Sequence, residues 1–180
     1  MGVTTYVALL RGVNLGRNRR LAMADLRRWL EALGYGDVRT HLQSGNAVFT
    51  SDRKPAEVQR EMEKRLAEET GAAIRCLVRT HDELQRVVDA NPFGDIATDP
   101  AKLVVAFLAE PAKKARLATL DPAQYEPERW YLGPREIYLW HPNGINQSKL
   151  TNELTDRNLG VMATARNWNT VLKLLAMSAP

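Results

Sequence analysis

Two short segments of this 180-residue chain combine arginine and asparagine at positions where a strand is predicted to end. One segment, TARNWNT, passes from a strand pattern to a helical pattern, with Arg166 and Asn167 at the transition. The other, LRGVNLG, follows the first apolar segment and contains Arg11 and Asn14. A turn at such a place exposes backbone N–H groups, and these groups attract anions. Both segments therefore predict anion binding.

Two further segments extend this candidate site. Ser44 and Asn46 flank Gly45 in a predicted tight turn, and Lys149 lies near the start of a predicted helix. Amide groups cap turns or bind ligands, and the arginine guanidinium matches the geometry of a carboxylate or a phosphate. We predict seven ligand-binding residues for an anion: Arg11, Asn14, Ser44, Asn46, Lys149, Arg166 and Asn167.

The same segments contain no Asp, Glu, His or Cys, so they include no candidate general base or thiol nucleophile. This omission favours binding over catalysis and leaves the catalytic residues unassigned. A wholly structural role is the alternative. Asn167 can cap the last helix, Ser44 and Asn46 can form a simple hairpin turn, and Arg11 and Arg166 can pair with acidic residues.

Positive charge is concentrated near the first of these segments. Residues 11–28 contain six arginines and one acidic residue, which gives a local net charge of +5 in a chain whose formal net charge is +4. Clustered arginines attract phosphate-bearing partners. We predict a polyanion-binding patch of Arg17, Arg19 and Arg20, and the alternative is a solvated, arginine-rich loop and helix face.

Other features of the sequence favour a cytoplasmic protein without a cofactor. The apolar segments are too short to cross a bilayer, and the N-terminus lacks the layout of a signal peptide, so we expect no membrane association. Cys76 is the only cysteine, and its alternating strand context predicts a buried, unreactive thiol. The three histidines show no metal-ligand spacing, so we expect no bound metal.

The elements that position these residues follow one order in the first half of the chain. Apolar runs predict strands, and apolar residues three or four positions apart predict helices. The predicted elements are a strand at 5–10, a helix at 23–33, strands at 38–42 and 47–50, a helix from 55 and a strand at 74–79. Thr80 and Glu83 then have the spacing of a capping box that begins an additional helix.

The second half repeats this order without a visible residue-level repeat. Its predicted elements are a strand at 103–109, a helix at 111–120, strands at 129–132 and 136–140, a helix at 148–157, a strand at 161–164 and a helix from 168. We expect Trp168, Val171, Leu172 and Leu175 to share the apolar face of that last helix.

The predicted fold class is therefore α+β, with two tandem ferredoxin-like halves of order β-α-β-β-α-β, each followed by an extra helix. We predict a first half at residues 1–95 and a second half at residues 96–180. A four-stranded sheet with helices on one face leaves its other face bare, so two such halves can cover each other. A ligand cleft is expected at their junction.

The sequence also resembles a known family. The segments LLRGVN (residues 9–14), QSGN (residues 43–46), NPF (residues 91–93) and RNWNT (residues 166–170) are similar to the marker segments of the bacterial DUF1697 proteins, in the same order over nearly the whole chain. This resemblance implies two tandem α/β plaits and no known activity. The family often has paired glycines after the asparagine of the first segment, whereas Asn14 is followed by Leu15, Gly16 and Arg17.

Three classes of function fit these features. The first is a binding module for a phosphate-bearing ligand, either a nucleotide or a nucleic acid, at the junction of the halves. The alternation of Trp130 and Tyr131 does not favour base stacking of the RNA-recognition type. The second is an enzyme that acts on a small anionic substrate in the same cleft, with Arg11, Lys149 and Arg166 as electrostatic clamps. The third is a structural or protein-interaction module without a ligand, and the sequence does not predict the oligomeric state.

Overall fold

Two four-stranded antiparallel sheets organise the chain in a computed structural model that describes residues 2–15, 20–112, 117 and 119–180. By their internal contacts, the residues divide into a first unit, Met1–Arg86 with Lys173–Pro180, and a second unit, Val87–Leu172. Arg39 donates a hydrogen bond to the carbonyl oxygen of Met177 at 2.7 Å, which links the C-terminal residues to the first unit. The sequence-based boundary between residues 95 and 96 stays a prediction.

The first half of the chain forms one sheet with strand order β2-β3-β1-β4. Its elements are β1 (Thr4–Leu10), α1 (Met23–Ala32), β2 (Gly36–His41), β3 (Asn46–Ser51), α2 (Pro55–Thr70), β4 (Cys76–Thr80) and α3 (His81–Asp89). The central strand β1 is antiparallel to both β3 and β4. This is the split β-α-β order predicted from the sequence.

Alternation along β1 explains how this sheet packs. Tyr6, Ala8 and Leu10 belong to a core cluster with apolar residues of α1 and α2, including Leu30 and Met62. The intervening residues Val7 and Leu9 are also fully buried, so β1 is apolar on both faces. Such a strand reads as a continuous apolar run rather than as an alternating one.

The second half forms a sheet of the same order, β6-β7-β5-β8. Its strands and helices are β5 (Leu103–Leu108), β6 (Arg129–Leu132), β7 (Glu136–Trp140), β8 (Ala163–Asn167), α4 (Asp156–Leu159) and α5 (Trp168–Ser178). Short 3₁₀ turns cover Pro100–Lys102, Pro122–Tyr125, Ile145–Gln147 and Leu150–Glu153. The predicted fold class, α+β with two tandem ferredoxin-like halves, is confirmed.

The prediction of a helix at residues 148–157 is wrong. Two 3₁₀ turns and the four-residue helix α4 occupy this part of the chain and its flanks. Ser148 Oγ accepts a hydrogen bond from the Thr151 backbone N–H at 2.9 Å, and Thr155 caps α4 by accepting one from the Asn158 N–H at 3.3 Å. These local side-chain bonds compete with a continuous helix. Lys149 therefore precedes a 3₁₀ turn and does not begin an α-helix.

Three other predictions about strands and helices differ from the structure or lie largely outside the described residues. The strand predicted at 161–164 lies at Ala163–Asn167, so it includes Arg166 and Asn167. On α5, Val171 and Leu174 are buried, whereas Leu172 is 40% exposed, so Leu172 does not belong to the apolar face. The helix predicted at 111–120 falls largely on residues 113–116 and 118, which lie outside the described residues.

The two sheets share a residue-level correspondence that the sequence does not display. Arg79 lies opposite Val7 in the first sheet, and Arg166 lies opposite Val105 in the second. Both arginines are buried, and each is the penultimate residue of its strand. The duplication inferred from element order thus extends to the placement of a buried arginine.

None of the described helices combines the length and the apolar composition needed to span a membrane. Cys76 is buried, as predicted, and burial raises the pKa of its thiol far above the ordinary value.

Candidate functional site

Asn14 binds together three separate parts of the first unit. Its side-chain amide donates hydrogen bonds to the carbonyl oxygens of Leu21 at 2.9 Å and Gln43 at 2.6 Å, and its Oδ1 accepts one from the Leu21 backbone N–H at 2.7 Å. Asn14 has a φ of 56°, a conformation that asparagine tolerates better than most residues. The side chain therefore holds Leu21 and Gln43 next to the end of the segment that follows β1.

The turn after β2 lies against the segment that contains Asn14. The Leu10 N–H donates a hydrogen bond to the Gly45 carbonyl oxygen at 2.8 Å. Gly45 has a φ of 81°, and a Cβ atom there would lie 2.5 Å from Val13 Cγ2 and 2.9 Å from Leu10 Cβ. Only glycine fits this turn without displacing its neighbours. The LRGVNLG segment and the turn at Ser44–Asn46 thus meet within the first unit.

Ser44 and Asn46 support the same turn. Asn46 is fully buried, and its amide donates hydrogen bonds to the His41 carbonyl oxygen at 2.8 Å and to Ser44 Oγ at 3.0 Å. These contacts give Asn46 a structural role in shaping the turn. The predicted roles of Ser44 and Asn46 as ligand contacts stay predictions.

Arg11 and Arg20 are the two described arginines of the segment at residues 11–20. Arg11 is half-buried, and its backbone N–H donates to the Arg75 carbonyl oxygen at 2.9 Å. Arg20 is exposed and lines a surface depression of about 440 Å³ together with Asn14, Leu21, Ala22 and Gln43. The predicted patch residues Arg17 and Arg19 lie outside the described residues.

Arg166 in β8 is 7% exposed. Its Nη1 donates hydrogen bonds to Thr164 Oγ1 at 3.0 Å and to the Ala165 carbonyl oxygen at 2.8 Å. Burial lowers the pKa of Arg166 to about 10, so the guanidinium remains charged at neutral pH. Asn167 follows it, and its Oδ1 accepts a hydrogen bond from the Thr170 N–H at 2.9 Å, which caps α5.

Lys149 is exposed, and its backbone N–H donates a hydrogen bond to Glu128 Oε1 at 3.0 Å. Glu128 Oε2 accepts a second bond from Ser148 Oγ at 2.6 Å, and His141 Nδ1 lies 3.1 Å from the same oxygen. A carboxylate is therefore close to the main chain at Lys149. Glu128 could not be identified from the sequence, because no motif links residue 128 to residues 141 and 148.

Burial and hydrogen bonding together set the pKa values of the two titratable groups in this Glu128 cluster. It lowers the pKa of His141, and the neighbouring carboxylate only partly opposes that effect. For Glu128, burial raises the pKa, but hydrogen bonds from Ser148, Lys149 and His141 outweigh it and give a net lowering. At neutral pH, the cluster therefore holds an ionised glutamate beside a neutral histidine.

The Glu128 cluster also adjoins a concave surface in the second unit. A pocket of about 320 Å³ is lined by Phe93, Pro122, Glu126, Glu128, Arg129 and Trp130. Phe93 belongs to the NPF marker segment, but the sequence analysis did not assign it to a site. Within the described part of the chain, no group of three or more His, Cys, Asp or Glu residues is placed to hold a metal ion.

The fold and its loops define a tandem ferredoxin-like α+β protein in which arginine- and asparagine-bearing segments lie at the ends of strands. The chain belongs to the family described as "Protein of unknown function (DUF1697)", which matches residues 3–138 and confirms the resemblance in the sequence. Its structure is similar to that of the conserved bacterial protein SP0830 from Streptococcus pneumoniae. The TM-score is 0.81 over 99% of this chain and 100% of that chain, at 22% sequence identity, so this likeness shows the fold alone. No curated protein matches the chain.

Proposed function

We propose that the protein is a binding module for a phosphate-bearing ligand and that the arginine-rich segment of residues 11–20 is its contact surface. One observation carries this proposal. Asn14 joins Leu21 to Gln43, so described residues on both sides of the arginine-bearing segment are held together, and Arg20 beside them is exposed. Residues that are already held in place lose less conformational freedom when a ligand binds to them.

The charge distribution supports the same surface. Residues 11–24 contain four arginines and neither Asp nor Glu. In the next helix, Arg28 lies 2.9 Å from Asp25, and Arg27 lies 4.0 Å from Glu31, so local carboxylates offset these two cations. In the sequence, the positive charge is therefore concentrated in residues 11–20, a segment without an acidic residue. Arginine forks match phosphate oxygens in geometry as well as in charge.

The depression beside Arg20 provides room for a ligand group. Contacts between arginine side chains and the phosphate backbone bind a nucleic acid without reading its base sequence. We therefore expect little sequence preference among nucleic acids. Five further residues remain predicted ligand contacts: Ser44, Asn46, Lys149, Arg166 and Asn167. Substitution of these residues should weaken binding only if the ligand extends beyond the arginine segment.

The experiment compares retention on heparin and binding to a labelled single-stranded DNA oligonucleotide. The variant R17Q/R19Q/R20Q is compared with R60Q/R86Q/R157Q, which removes three exposed arginines from α2, α3 and α4 and has the same net charge. We expect the first variant to lose binding and the control to retain most of it. Equal binding by both variants would contradict the proposal.

The salt dependence of binding distinguishes this proposal from the two alternative functions. An enzyme for a small anionic substrate would bind inorganic phosphate or a mononucleotide with weak salt dependence, whereas a polyanion surface depends steeply on salt. A structural module without a ligand would bind none of these probes.

A further inference from the structure

The second unit contains a pocket that is independent of the arginine segment. The pocket measures about 320 Å³ and combines two aromatic residues, Phe93 and Trp130, with two carboxylates, Glu126 and Glu128. This volume lies at the small end of the range for ligand pockets. The lining is more polar than that of a typical pocket, because charged residues make up half of it.

Glu128 is the buried polar group of this pocket. Its side chain is 10% exposed, yet it lines the concave surface. Three hydrogen bonds hold the carboxylate in place: from Ser148 Oγ, from the Lys149 backbone N–H and from His141 Nδ1. An ionised carboxylate accepts at about four positions, so one position remains for a further donor.

The charge on Glu128 has no cationic partner within the described residues. His141 is neutral at neutral pH, because burial lowers its pKa. Arg129 lines the same pocket but makes no ion pair within 4.0 Å with Glu126 or Glu128. Hydrogen bonds rather than a counter-charge keep this buried carboxylate ionised, and their net effect lowers its pKa. A cation in the pocket would add the ion pair that Glu128 lacks.

The histidine behind Glu128 provides a second observation. An ionised carboxylate only accepts hydrogen bonds, so Nδ1 of His141 carries the proton and Nε2 does not. Nε2 is buried, and no described residue offers it a hydrogen bond. Buried polar atoms without partners are uncommon in folded proteins. His141 does not line the pocket, so its part there is to hold Glu128 through Nδ1.

The aromatic wall defines the rest of the ligand. Phe93 is 8% exposed, and Trp130 packs edge-on against Tyr125 with a distance of 5.7 Å between ring centroids. This contact holds the indole of Trp130 in place. The faces of indole rings attract organic cations in addition to apolar groups.

We propose that this pocket binds a small organic amine, whose protonated nitrogen pairs with Glu128 and Glu126 while its flat apolar body packs on Trp130 and Phe93. The site shares no residue with the arginine segment, so this proposal and the proposed phosphate binding can fail independently.

The probes are three molecules that share an indole ring: tryptamine, which is a cation, indole-3-acetate, which is an anion, and 3-methylindole, which is neutral. Binding is measured by isothermal titration calorimetry and by saturation-transfer NMR at neutral pH. We expect tryptamine to bind with a dissociation constant below about 1 mM. We expect binding of 3-methylindole to be at least about tenfold weaker, and no binding of the acetate.

Two variants and one control locate the binding. Glu128→Gln removes the buried charge, and we expect it to weaken tryptamine binding about 10- to 100-fold. Glu126→Lys reverses an exposed charge at the same pocket and keeps the test valid if Glu128→Gln does not fold. The control Glu110→Gln removes an exposed carboxylate that does not line the pocket, so it should bind as the parent does. Failure of tryptamine to bind, equal binding of the acetate, or unchanged binding by Glu126→Lys and Glu128→Gln would overturn the proposal.

Discussion

Arg79 and Arg166 hold the same position in the two sheets, each as the penultimate residue of its strand, with exposures of 3% and 7%. The residue that follows each arginine caps the next helix. Thr80 Oγ1 accepts a hydrogen bond from the Glu83 N–H at 3.1 Å, and Asn167 Oδ1 accepts one from the Thr170 N–H at 2.9 Å. A buried arginine followed by a helix cap is thus repeated in both halves.

The first prediction concerns these caps. Thr80→Ala and Asn167→Ala should each lower the free energy of unfolding by about 1 kcal/mol, because each leaves one N–H at a helix start without its side-chain acceptor. Asn167→Asp should restore most of the loss, since Asp is an equally good cap. Urea denaturation monitored by circular dichroism measures these changes. A loss as large for Asn167→Asp as for Asn167→Ala would contradict the capping role.

The second prediction concerns Asn14. Asn14→Ala should lower the free energy of unfolding by about 2–4 kcal/mol, because it removes three hydrogen bonds and places alanine at a positive φ. Asn14→Gly removes the same bonds but tolerates that φ, so it should be about 1 kcal/mol more stable than Asn14→Ala. Asn152→Ala, at an exposed asparagine, is the control and should change little. A loss under about 0.5 kcal/mol for Asn14→Ala would show that the hydrogen bonds of Asn14 to Leu21 and Gln43 do not stabilise the fold.

The third prediction separates steric conflict from backbone strain at Gly45. Gly45 and Gly71 both have a positive φ, but a Cβ at Gly71 would meet no atom within 4 Å. Gly71→Ala should therefore cost about 1 kcal/mol from backbone strain alone. Gly45→Ala adds the conflict with Val13 and Leu10 and should cost at least about 1–3 kcal/mol more. Thermal unfolding of the two variants side by side tests this difference, and equal losses would contradict the close approach at Gly45.

The fourth prediction is a pH dependence of stability that arises from His141. Because burial lowers the pKa of His141 in the folded state, the unfolded chain binds more protons near its ordinary pKa of about 6.5. Stability from this group is therefore present above that value and is lost as the pH falls. Glu128, whose folded pKa is also lowered, adds a similar loss at lower pH.

The measurement is urea denaturation at pH 7.5 and at pH 5.5. The parent should be less stable at pH 5.5, and His141→Asn, which keeps a donor toward Glu128, should show a smaller difference between the two pH values. Burial, with Lys173 nearby, also lowers the pKa of His41, so His41→Gln is measured alongside to account for its part. The same pH difference in His141→Asn as in the parent would exclude His141 as its source.

Much of the fold could be predicted from the sequence because local patterns agree with the final packing. The apolar runs of β1 and β5 and the cap formed by Thr80 and Glu83 have the same meaning in isolation and in the structure. The helix predicted at residues 148–157 is replaced by short turns in which Ser148 and Thr155 bind nearby backbone N–H groups, and Glu128, 20 residues earlier, also binds the Ser148 side chain. Periodicity within a segment does not report a partner from elsewhere in the chain.

The candidate site could also be predicted only in part from the sequence. Asn14 and Asn46 could be selected from the sequence as residues with special roles, but their hydrogen bonds to Gln43 and His41 depend on the approach of two loops. The pocket at Glu128 and Trp130 could not be predicted, because its residues come from separate loops and strand starts. Spacing in the sequence therefore identified single residues better than it identified the surfaces that they form.

The salt dependence of polyanion binding tests the central claim most directly. Fluorescence anisotropy with a labelled single-stranded oligonucleotide, over a series of salt concentrations, gives the slope of log K against log salt, which is about −0.7 for each neutralised phosphate. We predict measurable, steeply salt-dependent binding by the parent and by R60Q/R86Q/R157Q. For R17Q/R19Q/R20Q, we predict binding that is lost or has a slope shallower by about 2. An R17Q/R19Q/R20Q variant with the parent's affinity and slope, or a parent that binds no oligonucleotide at low salt, would contradict the account.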